Sequence, residues 1–111
     1  MIYGVQAPKK DDPATEIYAW SIKEVDWGGH REITQHLVGY VAKNKRGRVT
    51  SAIKTFDQEK QVITTASGRI YQLTGWSGWN PDAEYVWRQW AAFNQAPCEC
   101  DVTHRYYQSD V

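Results

Sequence analysis

Apolar positions along this chain alternate with period two through most of its length and change to steps of three and four only beyond Asn80. From Thr15 the run TEIYAWSI sets Tyr18, Trp20 and Ile22 on one face and Ile17 and Ala19 on the other, which predicts a strand with two partly buried faces. Gly28 and Gly29 break the chain after Trp27. ITQHLVGYVA resumes at Ile33, with Leu37, Gly39 and Val41 opposed to Val38, Tyr40 and Ala42. The loop KNKRG, Lys43 to Gly47, ends in a glycine suited to positive φ, and RVTSAIKTF answers from Arg48 as the return strand of a hairpin. DQEK turns the chain again at Asp57 to Lys60. QVITTA and RIYQLTG, joined through Ser67 and Gly68, complete a further pair.

The period changes after Trp79. Asn80 is a good N-cap, Pro81 suits the first helical position, and Asp82 and Glu84 complement the positive end of the helix dipole. Ala83, Val86, Trp87, Trp90, Ala91 and Asn94 then form one stripe, so a helix is predicted to about Gln95, where Pro97 ends it. The tail from Cys98 carries Val102, Tyr106 and Tyr107 and suits a last strand or a docked arm. Residues 1–14 hold Pro8, Pro13 and the compensating charges Lys9, Lys10, Asp11 and Asp12. They read as a flexible arm in which Ile2, Tyr3 and Val5 can pair as an edge strand.

Length and composition narrow the architecture. A chain of 111 residues with 41% hydrophobic content suffices for one core, so 1–111 is expected to form a single domain. Leucine occurs only at Leu37 and Leu73 while aromatic and β-branched residues dominate, which favours sheet. The expected fold is α+β, a single-domain antiparallel β-meander of about five strands with one C-terminal helix packed on one face. Which face the helix covers is left open by the pattern.

Thirteen basic and thirteen acidic residues cancel, so no whole-molecule field draws this protein to nucleic acid. No run approaches the roughly 20 apolar residues that span a bilayer, and the polar opening MIYGVQAPKKDDP is unlike a signal peptide. A soluble cytoplasmic protein is the expectation.

Four of the six tryptophans fall in GWSGWNPDAEYVWRQW, Gly75 to Trp90. The stripe assigns Trp87 and Trp90 to the core. Trp76 and Trp79, framed by Gly75 and Gly78, are candidate partner anchors, with one indole expected inside and one outside. KNKRGR adds a second candidate surface, placing Lys43, Lys45, Arg46 and Arg48 on one hairpin tip that can meet phosphates or an acidic groove. Tyr40 or Trp20 on an open sheet face can supply the stacking that single-strand binding needs.

Catalytic and metal signals are incomplete. Cys98, Cys100 and His104 in C-x-C-D-x-x-H are soft zinc ligands without the second distant pair of structural zinc motifs, so two free thiols are the simpler account. His30, His36 and His104 are the only imidazoles, and none sits in a nucleophile signature. Asp26 and Glu32 flank His30 and leave an acid–base group on that loop as an alternative. No cofactor motif is present, so none is expected.

The stretch ITTASGRIYQLTG, Ile63 to Gly75, resembles a T-x-S-G-R-x-Y-x-L strand–turn–strand pattern of small phage and mobile-element accessory proteins. The resemblance covers that hairpin alone and transfers no site residues. It implies no activity, only a compact phage or mobile-element accessory protein, a group similar in size and aromatic richness to inhibitors of host defence nucleases such as anti-CRISPR proteins. The partner expected is a host protein or protein–nucleic acid complex. Three function classes stand at this point. The first is a non-enzymatic protein-binding inhibitor using Trp76, Trp79 and the basic tip, either alone or as a homodimer. The second is a single-stranded nucleic-acid-binding protein using Lys43 to Arg48, and the third a small enzyme using His30 or His104.

Overall fold

The computed structural model describes residues 14–107. The arm expected at 1–14, with its edge-pairing residues, lies outside them apart from Ala14. Strands β1 (Thr15–Val25), β2 (Thr34–Val41), β3 (Arg46–Asp57), β4 (Val62–Thr65) and β5 (Ile70–Leu73) follow one another in alternating directions. In an up-and-down run of odd strand number, the last strand points the same way as the first. Where this sheet rolls closed, β5 therefore meets β1 in parallel, with Thr15 opposite Tyr71 and Ile17 opposite Leu73. The α+β single domain holds, but the open antiparallel meander does not: the five strands form a closed mixed barrel. Alternation and turn chemistry identify antiparallel neighbours, whereas closure depends on accumulated twist, which they do not encode.

Closure requires β1 to serve two sheets. Its first residues pair with β5, while Ser21 to Val25 pair with β2 on one side and Lys23 to Val25 with a short strand β6 (Glu99–Asp101) on the other. The strand bends at Ala19, whose φ of 46° is left-handed, and the register slips between Tyr18 and Ser21. One extra residue reverses the facing of everything before it. The expected face of Tyr18, Trp20 and Ile22 is thus corrected: Ile17, Trp20 and Ile22 point into the barrel, and Tyr18 is 37% exposed.

Leu37, Val41, Ile63, Tyr71 and Leu73 fill the interior around Trp20. The tail closes one end, both as the strand β6 and as a 3-10 turn at Thr103–Tyr106 that brings Val102 and Tyr106 into the same core. The Ile22 carbonyl accepts the Val102 N–H (2.9 Å), and the Ile22 N–H donates to the Thr103 hydroxyl (2.9 Å).

Helix α1 (Pro81–Phe93) begins where its local signals place it, with the Ala83 N–H donating to Asn80 Oδ1 at 3.0 Å. It ends two residues short of Gln95, which takes a positive φ of 54°. The helix lies outside the barrel across β2 and β3. Ala83 and Trp87 bury against Val25 and Val38, with half-buried Trp90, Trp27 and Val49 around them. Trp87 and Trp90 stack at 5.2 Å, and Trp27 meets Trp90 edge-on at 6.1 Å. Strand β2 is consequently apolar on both faces, sending Leu37 and Val41 into the barrel and Val38 under the helix.

Gly47 has a different task from the turn role expected of it. Lys45 carries the positive φ of the hairpin, at 55°. A Cβ on Gly47 would lie 2.4 Å from the Asp82 carbonyl oxygen and 2.6 Å from Ala83 Cα, so the missing side chain lets the first helical turn sit on β3. Gly47→Ala is expected to lower the unfolding free energy by about 1–3 kcal/mol through this overpacking, read as a fall in the urea midpoint at unchanged m-value.

Beneath the helix, His36 is buried within an ordered chain of donors. Its Nδ1 lies 2.9 Å from the Thr50 carbonyl, which can only accept, so Nδ1 carries the proton. Nε2 then accepts from the Thr34 hydroxyl (2.8 Å), whose oxygen accepts the Trp27 indole N–H (2.8 Å). Burial pushes the imidazole below its ordinary value, outweighing the opposite effect of the Thr50 bond. The folded chain therefore holds His36 neutral while the unfolded chain protonates near pH 6.5. Its stabilising contribution is complete above about pH 6.5 and is lost as pH falls from there through the folded-state value. Urea titrations stepped from about pH 7.5 to 5.5 should show a falling midpoint, and His36→Gln should be less stable at the upper end with a flatter profile.

Candidate functional site

The connection from β5 to α1 presents two indoles to solvent. Trp76 is 87% exposed and Trp79 67%, so the expected division into one buried and one exposed indole is corrected to two exposed. The loop that carries them is nonetheless tied at several points. The Thr74 N–H donates to the Ile17 carbonyl (3.0 Å), the Trp20 indole N–H to the Gly75 carbonyl (3.2 Å), and the Gly78 N–H to the Trp20 carbonyl (3.0 Å). Asn80 then fixes the far end as the helix cap. With its backbone held inward by Trp20, the loop has no interior space left for Trp76 or Trp79, because Trp20 already occupies the core beneath.

A shallow groove of about 310 Å³ adjoins the loop, lined by Ser77, Asp101, His104 and Tyr107 over Trp20. The Ser77 and Tyr107 hydroxyls are hydrogen-bonded, and the Tyr107 ring tilts against Trp20 at 6.2 Å. Burial alone would raise the Asp101 carboxyl. The hydrogen bonds from Thr103 and the charge of Lys23, 3.5 Å away, outweigh it and hold Asp101 below the usual carboxylate range. Tyr107 and Asp101 joined this surface unforeseen, since the tail gives no periodic signal that would aim them at a loop far away in sequence.

The basic tip divides. Lys43, Lys45 and Arg46 are exposed. Arg48 instead turns inward, its Nη1 donating to the Tyr71 hydroxyl (3.4 Å) and its Nη2 to Asn44 Oδ1 (3.2 Å). Trp20 is 2% exposed, and the sheet face on which it was expected to stack bases is the barrel interior. Half-buried Tyr40 and exposed Tyr18 are the sheet tyrosines nearest the tip in the strand pairing.

The remaining candidates stay apart. His30 is exposed on the loop after β1, and the Asp26 carboxylate accepts the Gly28 N–H (2.9 Å) in a local turn. Cys98 and Cys100 are free, exposed thiols, and among the described residues no three His, Cys, Asp or Glu side chains converge as a metal-binding group. No helix among the described residues is long and apolar enough to cross a membrane. The chain matches no protein-family model, and comparison with curated proteins and with solved structures returns no match.

The contrast between anchored and presented tryptophans is directly measurable. Trp76→Ala and Trp79→Ala should each change the unfolding free energy by no more than about 0.5 kcal/mol, as surface substitutions do. Trp20→Ala should cost about 3–5 kcal/mol through the cavity it leaves and the loop contacts it releases. Urea unfolding of the three variants tests the ordering.

Proposed function

We propose that this protein is a non-enzymatic binding module that docks a larger protein through Trp76 and Trp79. The observation that carries this reading is the pairing of high exposure with a fixed backbone: two large indoles stand in solvent on a loop hydrogen-bonded to β1 at both Gly75 and Gly78. Tryptophan contributes disproportionately to interface energy because one rigid side chain buries a large area with few rotatable bonds. A loop already ordered in the free protein loses little further entropy on docking. Exposed Lys43, Lys45 and Arg46 add a cationic surface suited to an acidic rim. The resemblance of the Ile63–Gly75 hairpin to phage and mobile-element accessory proteins supports a host defence complex as the target.

A single-stranded nucleic-acid role is the second reading, and the three exposed cations of the tip favour it. That role needs bases to stack beside the tip, and the residue of largest π-surface first assigned to stacking, Trp20, is internal.

Affinity capture on immobilised protein from bacterial lysate, read by mass spectrometry, is expected to recover a stable protein partner. Trp79→Ala and Trp76→Ala should each weaken the purified complex by about tenfold or more, the signature of a hot spot. Equal binding by both variants would exclude the loop as the docking surface. Affinity for an oligonucleotide that falls steeply with salt and disappears in Lys45→Glu, Arg46→Glu, while the tryptophan variants bind normally, would favour the second reading.

A further inference from the structure

A separate cluster of polar side chains lines a cleft of about 280 Å³ between β3 and the turn that joins β4 to β5. Arg48 and Ser51 face it from β3, and Ser67, Arg69 and Tyr71 from the other side. No carboxylate lines this space. Among the described residues the ion pairs are Lys23 with Glu84 and Asp101, and Arg105 with Glu24, so neither Arg48 nor Arg69 has an acidic partner. Arg48 is half-buried, and its two hydrogen bonds go to the neutral oxygens of Tyr71 and Asn44. A guanidinium drawn partly out of water and given only neutral acceptors retains an unmet demand for negative charge.

We propose that the cleft between Arg48 and Arg69 binds a dianionic phosphoryl group, as found in inorganic phosphate or a small phosphorylated metabolite. A guanidinium has five N–H donors. Arg48 spends two of its own on Tyr71 and Asn44, and no hydrogen bond among the described residues engages the side chain of Arg69. Ser51 Oγ accepts the Ser67 N–H (3.1 Å) and keeps its hydroxyl proton to donate. These donors exceed what the two oxygens of a carboxylate can accept and match the several oxygens of a phosphate monoester. The two positive charges match its dianion, whereas a nucleic-acid phosphodiester carries a single charge. The cleft lies at the small end of ligand pockets, which suits a phosphoryl group with little attached to it. This site is independent of the tryptophan loop, and it removes Arg48 from the basic tip.

Calorimetric titration at constant ionic strength with inorganic phosphate, glycerol 3-phosphate and a deoxydinucleotide, with acetate as control, tests the assignment. Saturable binding of phosphate or glycerol 3-phosphate is expected, with tighter binding of the latter identifying a metabolite and equal binding the free ion. Arg69→Gln should weaken it by about tenfold or more, while Lys43→Glu, Lys45→Glu should leave it within about twofold. Arg48→Lys, which keeps the charge but loses the fork, should also weaken it. Absence of saturation, unchanged affinity in Arg69→Gln, or preference for acetate or the dinucleotide would overturn the proposal. Circular dichroism of each variant separates loss of binding from loss of fold.

Discussion

The bend of β1 at Ala19 is the constraint on which the rest of the structure depends. One strand must close the barrel against β5 and also continue the sheet shared by β2 and β6, and a straight strand cannot point its hydrogen-bonding edges in both directions. The left-handed φ of Ala19 supplies the change of direction at a conformational cost of about 1–2 kcal/mol for a residue bearing a Cβ. The neighbouring strand β2 fits the bend as well. Ile17 lies against Gly39, where a Cβ would come within 2.7 Å of the Ile17 side chain and 3.0 Å of the Tyr18 carbonyl oxygen, so a larger residue there would have to displace Ile17. Immediately after the bend, Trp20 enters the barrel and uses both its indole N–H and its backbone carbonyl to hold the loop from Gly75 to Gly78. Closure of the fold and placement of the exposed indoles are therefore consequences of one local event.

A closed barrel of this size has too little interior for all of the chain's aromatic residues, and the second core beneath α1 resolves the shortage. Trp87, Trp90 and Trp27 pack outside the barrel wall, on the reverse face of the strand that also lines its interior. Helix and wall approach closely because Gly47 presents only backbone to the first helical turn. The polar chain from Trp27 through Thr34 and His36 to Thr50 runs through this layer with each buried group partnered. A purely apolar layer would allow the helix to slide. Fixed donor and acceptor geometry gives it one register.

Features governed by neighbouring residues were legible in the sequence. Asn80 and Pro81 mark the helix start because capping is a contact over three residues, and the turns at Lys43–Gly47 and Asp57–Lys60 declare themselves by composition. The separation of Trp87 and Trp90 from Trp76 and Trp79 followed from helical spacing. Features governed by distant contacts were not legible. Alanine is a poor advertisement for positive φ, so alternation through Ala19 misassigns the facing of Tyr18. Gly47 looks like a turn glycine until the helix that crosses it is in place. Arg48 belongs by sequence to the cationic tip, yet pleating points it toward Tyr71, a residue of β5. The parallel pairing of Thr15 with Tyr71 leaves no local trace at all, since it follows from strand parity and closure.

The same distinction explains why the exposure of Trp76 and Trp79 bears on function more than their number does. A tryptophan on a mobile loop can reach solvent by default, and its exposure then reflects the absence of any constraint. Here the loop is constrained. Its backbone is bonded to β1, its end caps a helix, and its groove wall is buttressed by Tyr107 and Ser77. With those restraints, the indoles face outward because the inward positions are filled by Trp20 and by loop backbone. Large apolar side chains held in water by a rigid frame are unfavourable in the isolated molecule, and the fold provides no internal alternative for them. In the proposed docking a second surface removes them from water, and the hydrogen-bonded loop that holds them keeps the entropic cost of that contact low.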